Sequence, residues 1–353
     1  MAIDQNELNL LLDGAQRWFA ENNAFDDRVA AFRDGHREQE GAWQAMADMG
    51  WLALSLPESA DGFEAGAEAC FQFIRLLGKH ARPEALDVHF MLAPAVARAC
   101  PDAAEALMSG QMRLGAVDLP GAAGQGADEA ALSGRTGPVL GAGATHYVVF
   151  VMADGEAAKA VLLAADADGL RAEPARLIDK RDTVLLNLDH ARGVALRQED
   201  TGLRPQALRD LAAAGLVADT AGALEAGFEL TLDYLKQRKQ FGRPLSQMQA
   251  VQHKMAEIFC DVQQMSALTE TLGLEIDAAP TGDWPTLPVA KAFVGRRALR
   301  GLGQLIQLSG GIGVTEEYKL THLYRRLHVA ATLFGSAETQ LKRIQVRETL
   351  LAA

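Results

Sequence analysis

Arg238-Lys239-Gln240-Phe241-Gly242-Arg243-Pro244-Leu245 packs a guanidinium, an amide and an aromatic ring into four positions at the end of a helical run. A guanidinium presents a planar fork of donors that matches a phosphate, and a neighbouring ring screens that contact from water. Gly242 lets the chain turn, and Pro244 fixes φ ahead of the next helix. The stretch reads either as an anion-binding corner or as the solvated basic turn of a helix hairpin. A second candidate is Gln307-Leu308-Ser309-Gly310-Gly311-Ile312-Gly313. Adjacent glycines at a helix end permit positive φ and admit a phosphate or another chain to the backbone, or they simply cap the helix.

Other arrangements offer less chemistry. The glycines of 121–126 and 141–143 do not follow the strand-turn-helix order of a dinucleotide fingerprint, which argues against a Rossmann unit. His253 and Glu257 share a helix face, but no third ligand is in sequence reach, so a structural or interface histidine is expected. Ser309 and Ser336 lack the context of a nucleophile elbow. A net charge of −12 argues against nucleic-acid binding, since no basic face is large enough to neutralise many phosphates. No apolar run is read as approaching the length of a membrane span, and Met1-Ala2-Ile3-Asp4-Gln5 opens no export signal. Cys70, Cys100 and Cys260 are read as buried reduced thiols of a cytoplasmic protein with no membrane partner.

The elements that must position these residues fall into three blocks. Residues 1–111 read as a bundle of helices, with Leu8, Leu11, Leu12, Ala15 and Phe19 at helical spacing and a loop at Leu54 to Phe63. Residues 112–203 read as a β domain with strands at Leu114–Leu119, Tyr147–Met152, Lys159–Ala164 and Val184–Leu188. Residues 204–353 read as a C-terminal bundle of longer helices: Leu208–Gln237, Gln247–Ala278, Val289–Leu308, and two shorter ones near Tyr318–Leu333 and Ser336–Leu350. Gly215, Gly222 and Gly227 on the first of these imply close helix-helix approach or a nearby ligand, because glycine otherwise weakens a helix.

Arg238-Lys-Gln-Phe-Gly with Pro244-Leu245, Gln307-Leu-Ser-Gly-Gly-Ile-Gly with Thr315-Glu-Glu-Tyr318, and Leu56-Pro57-Glu58 with Gly62 together resemble the acyl-CoA dehydrogenases. The resemblance covers nearly the whole chain. It implies a mainly α fold with a central β-barrel or sandwich domain and a C-terminal four-helix bundle. It also implies FAD-dependent α,β-desaturation of an acyl-CoA thioester. The α proton beside a thioester is a poor acid at neutral pH, so the carbonyl must be hydrogen-bonded and a base must stand in contact. By resemblance, Arg238 and Gln240 bind a flavin pyrophosphate with Phe241 beside it, and Gln307, Gly310 and Gly311 meet the adenosine end. These contacts are made to the neighbouring subunit's FAD.

The chain also departs from the family's pattern. The catalytic Glu that precedes a Gly between the last two helices is replaced by Phe334, before Gly335. The base position that some members use instead falls on Ala212 or Ala213, with Asp210 two residues away on another face. The family's flavin-contacting stretch, Thr-Glu-Pro and then Gly-Ser-Asp, corresponds to Asp118-Leu119-Pro120 and Gly124-Gln125-Gly126-Ala127-Asp128, and its aromatic-Ile-Thr strand that covers the flavin has no match near Arg135 to Pro138. These departures lead to the expectation of a subunit resembling the short chains of heteromeric (α2β2) bacterial enzymes of steroid side-chain catabolism. Such a chain completes the FAD site of a homologous partner that carries the Glu, with an electron-transfer flavoprotein or similar acceptor. The alternatives are a self-sufficient homotetramer using a displaced base such as Asp210, a flavin enzyme of the same fold with other chemistry, and a non-catalytic assembly subunit. The acyl group stays open.

Overall fold

Every residue from Ala207 to Leu224 is buried, so the helix that carries them is an axis on which other elements pack. The structure, a computed structural model, describes residues 5–22, 29, 41–121, 131–140, 143–279 and 281–352. Helices run Gln5–Glu21 (α1), Ala42–Asp48 (α2), Ala67–His80 (α3), Leu86–Ala99 (α4) and Ala104–Met108 (α5). Strands follow at Leu114–Leu119 (β1), Ala131–Leu140 (β2), His146–Ala153 (β3), Glu156–Ala164 (β4), Leu170–Arg176 (β5), Asp182–Arg192 (β6) and Val194–Ala195 (β7). Helix returns at Gln198–Thr201 (α6) and Pro205–Gln237 (α7). A short hairpin, Lys239–Gln240 (β8) with Arg243–Pro244 (β9), leads to Gln249–Ala278 (α8), Thr286–Phe293 (α9), Leu299–Ser309 (α10), Lys319–Ala330 (α11) and Ala337–Ala352 (α12). The architecture is mainly helical with a central β domain, as the sequence predicts.

The axial helix α7 begins with Pro205 in its first turn, where a missing N–H costs nothing. Ala and Leu then favour helix, and the burial of every face from Ala207 to Leu224 suits a core helix rather than a surface one. Its glycines mark contacts. A Cβ on Gly222 would stand 1.8 Å from the Arg75 carbonyl oxygen of α3, and one on Gly78 would stand 1.9 Å from the Asp219 carbonyl oxygen. The two helices thus cross backbone to backbone. Gly215 meets the Asp87 carbonyl of α4 at 3.0 Å, and Gly227 meets Leu302 of α10 at 2.4 Å, on the same measure.

In the β domain, one sheet has the order β1-β3-β4-β7 and the other β2-β6-β5. Alternation along the first sheet buries both of its faces. Val117, Leu119, Tyr147, Val149, Val151, Val161 and Leu163 point into the space between the sheets. Leu114, Ala116, Val148, Phe150 and Leu162 join the core shared with the helices. Asp118, in phase with Leu114 and Ala116, therefore faces the helices.

The structure corrects four expectations. α7 is long and apolar enough to cross a membrane by length and composition, but 89% of its most apolar stretch is buried inside the protein. β2 and β5 are strands that the sequence reading passed over. β5 is an edge strand, so Pro174 and its charged side chains are tolerated there. The helix expected over Val289–Leu308 starts at Thr286 and carries a π-helical turn at Val294–Ala298. Of the three thiols, all free, only Cys70 is buried: Cys100 is half-buried and Cys260 exposed.

The two helical domains also meet through a cap. Asp277, at the end of α8, accepts hydrogen bonds from the Ala67 and Glu68 N–H groups at 2.6 and 3.1 Å, closing the N-terminus of α3. A capping carboxylate satisfies otherwise orphaned donors and complements the helix dipole. Asp277→Ala should cost about 1–2 kcal/mol. Thermal or denaturant unfolding checks this, and an unchanged midpoint would refute the role.

Candidate functional site

α7 ends where the Arg238 N–H donates to the Tyr234 carbonyl at 2.8 Å. β8 and β9 then pair Lys239 with Pro244 and Gln240 with Arg243, leaving Phe241 and Gly242 at the tip. Both have positive φ, +56° for Phe241 and +79° for Gly242. Glycine adopts that region freely, whereas a bulky L-residue there is strained by about 1–2 kcal/mol. Phe241 is also 89% exposed, so nothing packed around it within this chain repays the strain. Such strain often marks a functional position. Arg238 and Gln240 are exposed, and neither side chain has a hydrogen-bond or ion-pair partner among the described residues. The hook carries a free guanidinium fork, a free amide and an unpacked ring.

The second motif lies at the same end of the bundle. α10 stops at Ser309, and Gly310 takes φ 66°, ψ −146°, a region open essentially to glycine alone. A Cβ on Gly310 or Gly311 would meet nothing within 4 Å. Packing inside the chain therefore does not require these glycines, and their backbone lies open to an approaching group. Gln307 is exposed beside them, as are Ile312 and Val314. Tyr318 anchors the turn to the end of α7, its ring centroid 6.3 Å from that of Tyr234 and its hydroxyl donating to the Leu230 carbonyl at 3.5 Å. The Gly310 N–H is spent on the Gln307 carbonyl, so the glycines offer close approach, while the unpaired amides and guanidinium supply the donors that suit a nucleotide phosphate and its adenosine. All of it faces out of this chain.

The expected base position is closed. Phe334 is 6% exposed. Its ring stands edge-on to Phe150 at 6.2 Å, and the Arg209 guanidinium lies 5.8 Å from its centroid. Arg209 in turn donates from Nε and Nη2 to the two oxygens of Asp118, each at 2.8 Å. Lys291, fully buried nearby, donates from Nζ to the Ala330 carbonyl at 2.5 Å and so caps α11. Burial, and then the neighbouring Arg209 charge, push its pKa down to about 7. Asp210 is held by Arg343 at 2.9 and 2.6 Å and by the Gln206 amide at 2.8 Å. Both of its oxygens are taken by donors inside this chain, so neither is placed to meet a substrate's α proton.

The Arg238 hook and, through Tyr318, the Gly310 turn are thus both tied to the end of α7, whereas Phe334 packs against β3 and the start of that helix. Gly124 to Asp128 lie outside the described residues. His253 and Glu257 are exposed on α8, where Glu257 pairs with Lys254 at 2.8 Å. The sequence reading missed Arg209 and Lys291. The available signal was an Arg-Asp pair set inside the Ala- and Leu-rich start of α7, where a charge must find a partner.

The family model described as acyl-CoA dehydrogenase, C-terminal domain, matches residues 210–348. Acyl-CoA dehydrogenase IpdE2 of Mycolicibacterium smegmatis is 31% identical over 140 residues, covering 40% of this chain and 43% of that protein. The chain spans less than half the length of the first curated relatives it matches. Among solved structures, the Tcur3481-Tcur3483 steroid ACAD G363A variant superposes with a TM-score of 0.87 at 24% identity, over 98% of this chain and 99% of that one. The ChsE4-ChsE5 complex from Mycobacterium tuberculosis gives 0.84 at 21% identity, over 99% of each chain. At these identities the two structures establish the fold.

Proposed function

Taking as premise that this chain belongs to the acyl-CoA dehydrogenase family, by its C-terminal bundle and its fold throughout, we propose that it is one subunit of an FAD-dependent enzyme that desaturates an acyl-CoA thioester. Its part is to complete the flavin nucleotide site of a homologous partner subunit, which supplies the catalytic Glu. Bound FAD provides the hydride acceptor for the β hydrogen. Arg238 and Gln240 would hold its pyrophosphate, the Phe241 ring would shield that contact, and Gln307 with the exposed Gly310–Gly311 turn would receive the adenosine end. Phe334 has no lone pair with which to take the α proton, so the proton goes to the partner's base. Turnover calls for an electron acceptor of the electron-transfer flavoprotein kind. The names of the structural neighbours, a steroid ACAD and a two-protein complex, favour a bulky ring-bearing acyl group and a heteromer.

The observation that carries this reading is the contrast between an unpaired Arg238 on a strained, exposed turn and a buried phenylalanine at the base position. Charge-assisted hydrogen bonds are worth about 1.5–3 kcal/mol each. Arg238→Ala should therefore weaken FAD binding by the complex roughly ten- to a hundredfold, with unchanged thermal unfolding of this chain. FAD titration of the complex co-purified with a longer homologue checks it. Unchanged FAD affinity, or stoichiometric FAD and desaturase activity in this chain alone, would sink the reading.

A further inference from the structure

We propose that Arg209, clamped on Asp118 beneath Phe334, fills the space between this chain's base position and its flavin-contacting strand, so that its own cleft accepts neither a flavin ring nor a thioester. The location of that cleft rests on the function proposed above; its closure rests on the geometry. Desaturation needs the base, the acyl carbons and the flavin ring as successive layers at reacting separations of roughly 3–3.5 Å. Two layers must therefore lie between the base position and the strand. Here a single guanidinium spans the gap. Its carbon is 5.8 Å from the Phe334 centroid, and its nitrogens are 2.8 Å from both Asp118 oxygens. The alternation of the first sheet puts Asp118 and Phe150 on the face turned to the helices, and Phe150 closes the side of the gap at 6.2 Å from Phe334. The Arg209 side chain is 6% exposed.

The filling is also a fastening. β1 supplies the carboxylate and α7 the guanidinium, so the pair ties the β domain to the helical axis where a bound ring would otherwise bridge them. The Ala157 N–H, donating to the Gln206 side chain at 2.7 Å, makes a second tie one turn away. This chain is therefore built to hold its domains together without a cofactor in its own cleft.

The test titrates the full chain, alone, with lumiflavin, the isoalloxazine ring without ribityl or phosphates, and follows quenching of its fluorescence. Wild type should show no saturable quenching. Arg209→Ala should show it, because the guanidinium is gone and Asp118, 27% exposed at its side chain, can take water in exchange. Phe334→Ala, which leaves the ion pair in place, should stay silent. Saturable binding to wild type overturns the proposal. So does a folded Arg209→Ala protein that takes no ring, and so does binding by Phe334→Ala. Should Arg209→Ala not fold by circular dichroism, the other two titrations still decide. Lumiflavin offers no phosphate to Arg238, so this result is independent of the FAD titration of the complex, and the two proposals can fail separately.

Discussion

Gly222→Ala should unfold or undock the N-terminal helices, although alanine is the better helix former by about 1 kcal/mol. The added methyl would lie 1.8 Å from the Arg75 carbonyl oxygen and 2.7 Å from its carbon. Both are backbone atoms inside α3, so no rotamer change relieves the clash. The helices must part, and the reciprocal contact of Gly78 with the Asp219 carbonyl parts with them. Overpacking usually costs about 1–3 kcal/mol, and a backbone-to-backbone crossing belongs at or above the top of that range. We expect a clear fall in the unfolding midpoint and early proteolytic release of the N-terminal segment. Gly303→Ala is the control. Its methyl would meet only the Tyr324 ring at 3.7 Å, an ordinary contact, so it should hold or raise the midpoint. Equal behaviour of the two variants would show that propensity, not the crossing, sets the result.

That crossing also indicates how much of the molecule was legible in the chain. Three glycines in one apolar helix already imply close approach, and each has its neighbour in the structure. What occupies the other side could not be read, because Arg75, Asp87 and Leu302 come from three separate elements. The hook was legible for a related reason. Arg238, Gln240 and Phe241 are adjacent, so their joint chemistry is a property of the local sequence. The left-handed backbone of Phe241 was not, because the hairpin imposes it against the residue's own preference. Phe334 stood out by its place before Gly335. Its closure by Arg209 and Asp118 did not, since those two lie 91 positions apart and meet only once sheet and helix pack. Edge strand β5 was hidden because a solvated strand needs no apolar alternation on its open side.

Arg326→Met should destabilise the protein by about 3–5 kcal/mol, the usual cost of stripping one partner from a buried ion pair. Arg326 and Asp219 are 3% and 1% exposed at their side chains, and the guanidinium grips both carboxylate oxygens at 2.7 and 2.6 Å. Its remaining nitrogen donates to the Arg82 carbonyl at 2.6 Å. One side chain of α11 thereby fastens α7 to the turn that follows α3, beside the Gly78–Gly222 crossing. The surroundings make the loss worse. Asp87 lies close by, its carboxyl pushed up by burial first and then by Asp219, so two acids share the pocket, and Arg181, the other cation that opposes them, is already paired with Asp179 at 2.6 Å. If the loss comes from the stranded carboxylate, replacing it as well should return much of the stability, since apolar groups of similar volume often substitute for a buried pair at little cost. Asp219→Leu alone should be nearly as damaging as Arg326→Met, and the double variant far better than the sum of the two. A coupling energy of at least about 2 kcal/mol in that cycle supports the account, whereas additive single effects would refute it.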